Sequence, residues 1–272
     1  MTDGREDDSG EIGPETPELT AEELAQLEAE RLAAERSYFN VTRSLSGGLL
    51  FALPLLAVYE LGLLFKPDNN AAAAFLKMPI SWLQRNPVEL LGADLLVFIN
   101  AALIAAALLA VWRMGKLGAL HGGTFLGMFL ESGVYAMLLG PLALAPLTGE
   151  FRFEGFAPHL DRLPLKLVIS AGAGFYEEAF FRFLLLGAIF YLAKELGKLH
   201  PVTAGALALV VSGAIFSAAH FLMPGEPAEL GAFIFRLAAG MILGVIFFVR
   251  GFGIAAWTHA LFDLYVLSFA AG

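Results

Sequence analysis

From residue 44 onward the chain alternates long apolar runs with short polar connections, and the runs are about as long as a helix needs to cross a hydrocarbon layer of ~30 Å. Spans are predicted near residues 44 to 65, 90 to 112, 119 to 146, 164 to 192, 202 to 222, 231 to 249 and 252 to 271. This pattern predicts an all-α, polytopic helical membrane protein with about seven (six to eight) transmembrane helices. The third run contains several Gly and Pro141, so it is either one kinked helix or a helix plus a re-entrant piece.

The pattern is different before residue 44. Residues 1–18 are acidic and broken by Gly and Pro, as expected of a disordered tail. At 19–40 a short surface helix is predicted: Thr20-Ala21-Glu22-Glu23 has the form of a capping box, and Leu24, Leu27, Ala29, Leu32 and Ala33 follow at roughly helical spacing. The start lacks a basic region followed by an early apolar run, so the first membrane helix is expected to act as the insertion signal. Residues 41–163 are assigned to N-terminal membrane helices and 164–272 to a separate membrane core.

Composition agrees with a bilayer as solvent. Of 272 residues, 58% are hydrophobic and only 16% charged, and mean hydropathy is +0.70. The net charge is −9, and residues 1–43, with 4 Arg against 12 Asp or Glu, hold −8 of it. No basic stripe remains to neutralise phosphates, which argues against nucleic acid as a partner. The acidic tail is a candidate docking site for a basic partner. There are no cysteines, which removes thiol nucleophiles and Cys-ligated metals. With the N-terminus inside, near-membrane Lys and Arg divide eight to six between the two faces, too even a split to set orientation.

Ionisable groups inside a bilayer cost a few kcal/mol or more, so each is a candidate for function. Glu177 and Glu178 lie mid-span with Arg182 one turn on; at i, i+4 Glu178 can pair with Arg182, leaving Glu177 to point toward another helix. A bland alternative is a Glu–Arg pair that only aids helix packing. Phe216 and His220 share a face at the end of the fifth span, and His259 and Asp263 share one in the last. A His–Asp pair can fix an imidazole's tautomer and orientation, or simply join two helices. Glu60 and Asp94 are read as interfacial, Glu131 as a supporting or cavity residue, His121 as a weaker candidate, and Arg236 as snorkelling to the surface. Because His220 ends its span while Glu177 is mid-span, straight helices would leave them roughly 10 Å apart in depth. A break or tilt at Gly172-Ala173-Gly174 would lessen that.

The three motifs Glu177-Glu178-x-x-x-Arg182, Phe216-x-x-x-His220 and His259-x-x-x-Asp263, in this order on separate spans, resemble those of the CPBP family. These are the CAAX proteases and bacteriocin-processing (Abi) enzymes, related to the type II CAAX prenyl endopeptidases. The resemblance covers roughly residues 164–272. It implies an intramembrane endopeptidase that cleaves a membrane-associated protein or peptide. Glu177 and His220 would activate water, His259 and Asp263 would stabilise the oxyanion, and Glu178 and Arg182, with Phe216, would support them. Where the eukaryotic enzymes resemble Asn at the last motif position this chain has Asp263; it would have to be protonated to donate a hydrogen bond, or else orient His259 as the donor. The family has been described both as metalloproteases and as metal-independent glutamate peptidases. Glu177, His220 and His259 could therefore hold Zn²⁺, although no HExxH is present. The Ala- and Gly-rich style suggests a bacterial inner (cytoplasmic) membrane. A proton-coupled transporter and a non-catalytic scaffold are the competing readings.

Overall fold

The computed structural model describes residues 20–35, 37–64, 105, 108–109, 112, 122–149, 163–221 and 229–269. The described residues are helical with no strand. The predicted acidic tail at 1–18, Asp94 and His121 lie outside them, as does almost all of the predicted span at 90 to 112.

Two units are distinguished, Met1–Ser37 and Tyr38–Gly272. In the first, helix α1 (Ala21–Glu35) starts at the predicted capping box. The Glu23 carboxylate accepts from the Thr20 backbone N–H at 2.8 Å and its hydroxyl at 2.9 Å, and the Glu23 N–H donates to the Thr20 hydroxyl oxygen at 3.3 Å. The Thr20 backbone bond, then the hydroxyl, holds the Glu23 carboxyl below its ordinary value.

The second unit is a bundle. Its helices are α2 (Tyr38–Arg43), α3 (Leu45–Leu64), α4 (Gly122–Thr148), α5 (residues 163–196), α6 (Pro201–His220), α7 (Leu230–Arg250) and α8 (Phe252–Phe269). Five of these, α3, α4, α6, α7 and α8, are long and apolar enough to cross a membrane, so the chain is a multi-pass integral membrane protein. Helix α4 runs unbroken through Pro141 and Pro146, which settles the choice between a helix and a re-entrant piece.

Helix α5 is composite. It begins as α-helix (Leu163–Gly172), continues as a π-helix (Ala173–Leu186), returns to α-helix (Gly187–Tyr191) and ends in a second π segment (Leu192–Leu196). The expected break at Gly172-Ala173-Gly174 is thus a change of helix type with no interruption of the trace. The two glycines let neighbours approach: a Cβ at Gly172 would run into the Tyr59 ring of α3, and one at Gly174 into the Ala256 carbonyl and the Ala260 side chain of α8. Close packing of small residues is how helices associate where lipid removes the hydrophobic drive between them.

Helix α8 is the centre of the bundle. On one side Phe252, Ala256 and Ala260 pack with Leu55 and Leu56 of α3 and with Ala171 and Phe175 of α5. On the other, Phe262 packs with Leu139 and Ala143 of α4 and Leu243 of α7. Gly251 alone joins α7 to α8, at φ +84°, a conformation that a Cβ would strain.

A polar cluster ties α2 to this core. Arg250, at the end of α7, donates to Glu131 of α4 through both Nε and Nη2, and Nη2 also donates to the Thr42 hydroxyl at 3.0 Å. Glu131 also accepts from the hydroxyls of Tyr38 at 2.8 Å and Tyr135 at 2.9 Å. Burial and the Glu131 carboxylate push the Tyr38 hydroxyl up to about 12, so it remains a donor throughout the physiological range. Glu131 therefore performs a structural task, in keeping with its reading as a supporting residue.

Candidate functional site

Helices α5, α6 and α8 bring the residues of the three motifs together. The π stretch contains Glu177, Glu178 and Arg182, all buried. Its i→i+5 hydrogen bonds widen each turn, so a residue four positions on lies nearly above its predecessor. Arg182 Nη1 accordingly sits 3.0 Å from Glu178 Oε1, with both side chains essentially inaccessible at 1% and 0% exposure. The predicted Glu178–Arg182 pair is present. Arg182 Nη2 also donates to the Gly240 carbonyl of α7 at 3.4 Å. That carbonyl is reachable because Gly240 and Gly213 of α6 pack backbone to backbone.

The same Glu178 oxygen lies 2.7 Å from His259 Nδ1. A carboxylate oxygen accepts, so Nδ1 carries a proton and Nε2 faces the rest of the site. Nε2 is 3.6 Å from Asp263 Oδ2 and 3.8 Å from Glu177 Oε2. This corrects one expectation. The hydrogen bond that orients His259 comes from Glu178, a helix away, while Asp263 stands beyond hydrogen-bond range at the opposite nitrogen. Glu177 points toward another helix, as expected, and both adjacent glutamates approach the His259 imidazole.

Phe216 closes one side. Its ring is buried, with the Arg182 guanidinium 4.3 Å from its centroid. The rings of His220, Phe181 and His259 meet it edge-on at 4.8, 5.2 and 6.1 Å. His220 Nδ1 lies 2.9 Å from the Phe216 carbonyl oxygen. Only a donor can use that oxygen, so Nδ1 holds the proton and the neutral ring keeps its lone pair on Nε2, the nitrogen a general base needs. No hydrogen bond or ion pair joins His220 directly to Glu177, and Phe216 stands between the His220 and His259 rings, in edge contact with both. Phe216→Leu keeps a bulky apolar side chain, somewhat smaller than the ring, but loses the aromatic face. It is expected to lower the activity of this site about tenfold at nearly unchanged stability, as judged by turnover and by thermal unfolding of the purified protein.

Glu177 Oε2 is buried and has no hydrogen-bond partner among the described residues. A buried carboxylate oxygen left unpaired is costly, and such atoms are found where chemistry uses them. Among the described residues no three His, Asp or Glu side chains are grouped so as to hold a metal ion. His259 Nδ1 and His220 Nδ1 both donate to protein acceptors, which leaves the two Nε2 atoms open, as in a general base or in a histidine that ligates a metal.

Sequence reasoning missed two participants. Tyr176 donates its hydroxyl to Glu60 of α3 at 2.9 Å, so Glu60, read as interfacial, has a partner on α5. Arg236, early in α7, rests with its guanidinium 5.4 Å from the Phe221 ring. Neither spacing nor hydropathy pairs α3 with α5, and no sequence signal pointed to Glu60.

No curated protein and no solved structure matches the chain. The segment whose three motifs resemble the CPBP proteases is the one, residues 158–265, over which the chain matches the family model for type II CAAX prenyl endopeptidase Rce1-like proteins.

Proposed function

We propose that this membrane protein is an endopeptidase that hydrolyses a peptide bond of a membrane-associated protein or peptide within the bilayer. The observation that carries the reading is the buried meeting of two carboxylates with the His259 imidazole. One carboxylate there, Glu177, has no hydrogen bond at Oε2, which lies 3.8 Å from His259 Nε2. The family match at residues 158–265 supports the class of reaction.

In this mechanism Glu177, with His220 Nε2, takes a proton from water as its oxygen bonds to the scissile carbonyl carbon. The carbonyl π electrons move onto oxygen. His259 donates to that oxyanion from Nε2, since an imidazolium has a donor at both nitrogens and its Nδ1 is already held by Glu178. The tetrahedral adduct then collapses: the C–N bond breaks, the proton passes to the departing amine, and a carboxylic acid and an amine result. Asp263, at 3.6 Å from Nε2, faces the donor nitrogen and steadies its charge. It therefore acts through His259 and makes no direct contact with the oxyanion. Arg182 and the Phe216 ring keep Glu178, and through it His259, in register.

The test is proteolysis of a membrane-peptide library by the full-length protein in liposomes, with and without a chelator. Cleavage that is insensitive to chelator and lost in His220→Ala is expected. Cleavage abolished by the chelator and restored by Zn²⁺ would replace this mechanism with a metal-dependent one. Undiminished cleavage by His220→Ala would remove His220 from it.

A further inference from the structure

The unpaired state of Glu177 Oε2 raises a question of position. A general base must be held within a fraction of an ångström of its working place, yet no hydrogen bond at this oxygen fixes it. Its direction is then set by the backbone of the π stretch, which needs anchoring on both flanks. One anchor lies on the C-terminal side, where Glu178 and Arg182 bind His259 and the Gly240 carbonyl. We propose that the other is Tyr176 with Glu60, a positioning pair that holds α5 against α3 and so aims the Glu177 carboxylate at the site on α8.

The contacts fit this task. Tyr176 immediately precedes Glu177, so fixing the one side chain toward α3 constrains the direction of the next. The Tyr176 ring is wedged edge-on between Tyr59 at 5.0 Å and Phe175 at 5.4 Å, which restricts rotation about its long axis. Its hydroxyl then donates to Glu60 Oε1 at 2.9 Å. Glu60 lies in the last turn of an otherwise apolar span, where a carboxylate is costly unless it binds something. Gly172, by letting the Tyr59 ring press against the α5 backbone, allows the approach that brings Tyr176 within reach.

This inference rests on the proposed hydrolase reading, and two independent arms test it. In the first, full-length variants in liposomes are compared on a library peptide that the wild type cleaves. In Tyr176→Phe and Glu60→Ala kcat is expected to fall about tenfold with KM nearly unchanged, as for a small misplacement of a catalytic group. Glu60→Gln, whose amide oxygen still accepts a hydrogen bond, should restore most of the loss, and Tyr176→Phe combined with Glu60→Ala should be no worse than either alone. The second arm needs no turnover: the rate at which dicyclohexylcarbodiimide modifies Glu177, followed by mass spectrometry, should change about threefold or more in Tyr176→Phe, because that rate depends on how the carboxyl is presented. Equal kcat and equal carbodiimide reactivity, with only a lower melting temperature, would overturn the positioning role. If the wild type cleaves nothing, the hydrolase reading fails by itself and the carbodiimide arm decides the pair.

Discussion

Glu177→Gln will leave a folded protein whose turnover is lower by about 10²–10⁴-fold, the range that a lost general base commonly costs. The substitution keeps size and shape, so the packing of α5 on α8 is retained, but an amide cannot take up the proton that water must lose. The neighbouring Glu178 cannot substitute. Its Oε1 is committed to both His259 at 2.7 Å and Arg182 at 3.0 Å, and it is buried on the far side of the imidazole from Nε2. The measurement is kcat on any peptide that the wild type cleaves, with thermal unfolding as the control for folding. Activity within a few-fold of wild type would transfer the base role to His220 alone. A proton-coupled carrier would instead show uncoupled transport in this variant, and a scaffold would show no change.

The largest effect on stability is expected away from the site. Arg250→Met removes one half of a buried ion pair whose members are 5% and 18% exposed. It strands Glu131 with only its two tyrosines and leaves the Thr42 hydroxyl without its donor. Removing one partner of a buried pair costs about 3–5 kcal/mol, more than the pair contributes relative to a well-packed apolar replacement. The double variant Glu131→Leu with Arg250→Met should therefore be markedly more stable than Arg250→Met alone. Thermal unfolding of the four proteins in one detergent closes the cycle, and additive single effects would show that the two side chains do not act as a pair.

Much of the architecture was visible as hydropathy, because a bilayer-spanning helix announces itself by length and composition. The spans predicted at 44 to 65, 202 to 222, 231 to 249 and 252 to 271 lie within a few residues of α3, α6, α7 and α8. The pairing of Glu178 with Arg182 was also legible, since it is local and follows from one helical turn. What the sequence withheld was the partner choice between helices. A spacing of four suggested Asp263 for His259, yet the shorter contact comes from Glu178, because interhelical distance depends on glycine contacts such as Gly174 against Ala256 that no periodicity encodes. The same limitation hid Glu60, whose partner lies 116 residues away. It also hid the π geometry, which has the apolar pattern of an ordinary helix.

That geometry bears on how the chain tolerates changes of length. A π turn accommodates one more residue per hydrogen-bonded ring than an α turn. Fourteen residues from Ala173 to Leu186 are wound in this way. Deleting a single residue between Glu178 and Arg182 leaves the helix continuous, but every side chain before the gap is then turned by about 100° relative to those after it. The hydrophobic profile would hardly register the loss, while Tyr176 and Arg182 could no longer both reach their partners. In this helix one missing residue is a graver lesion than most replacements.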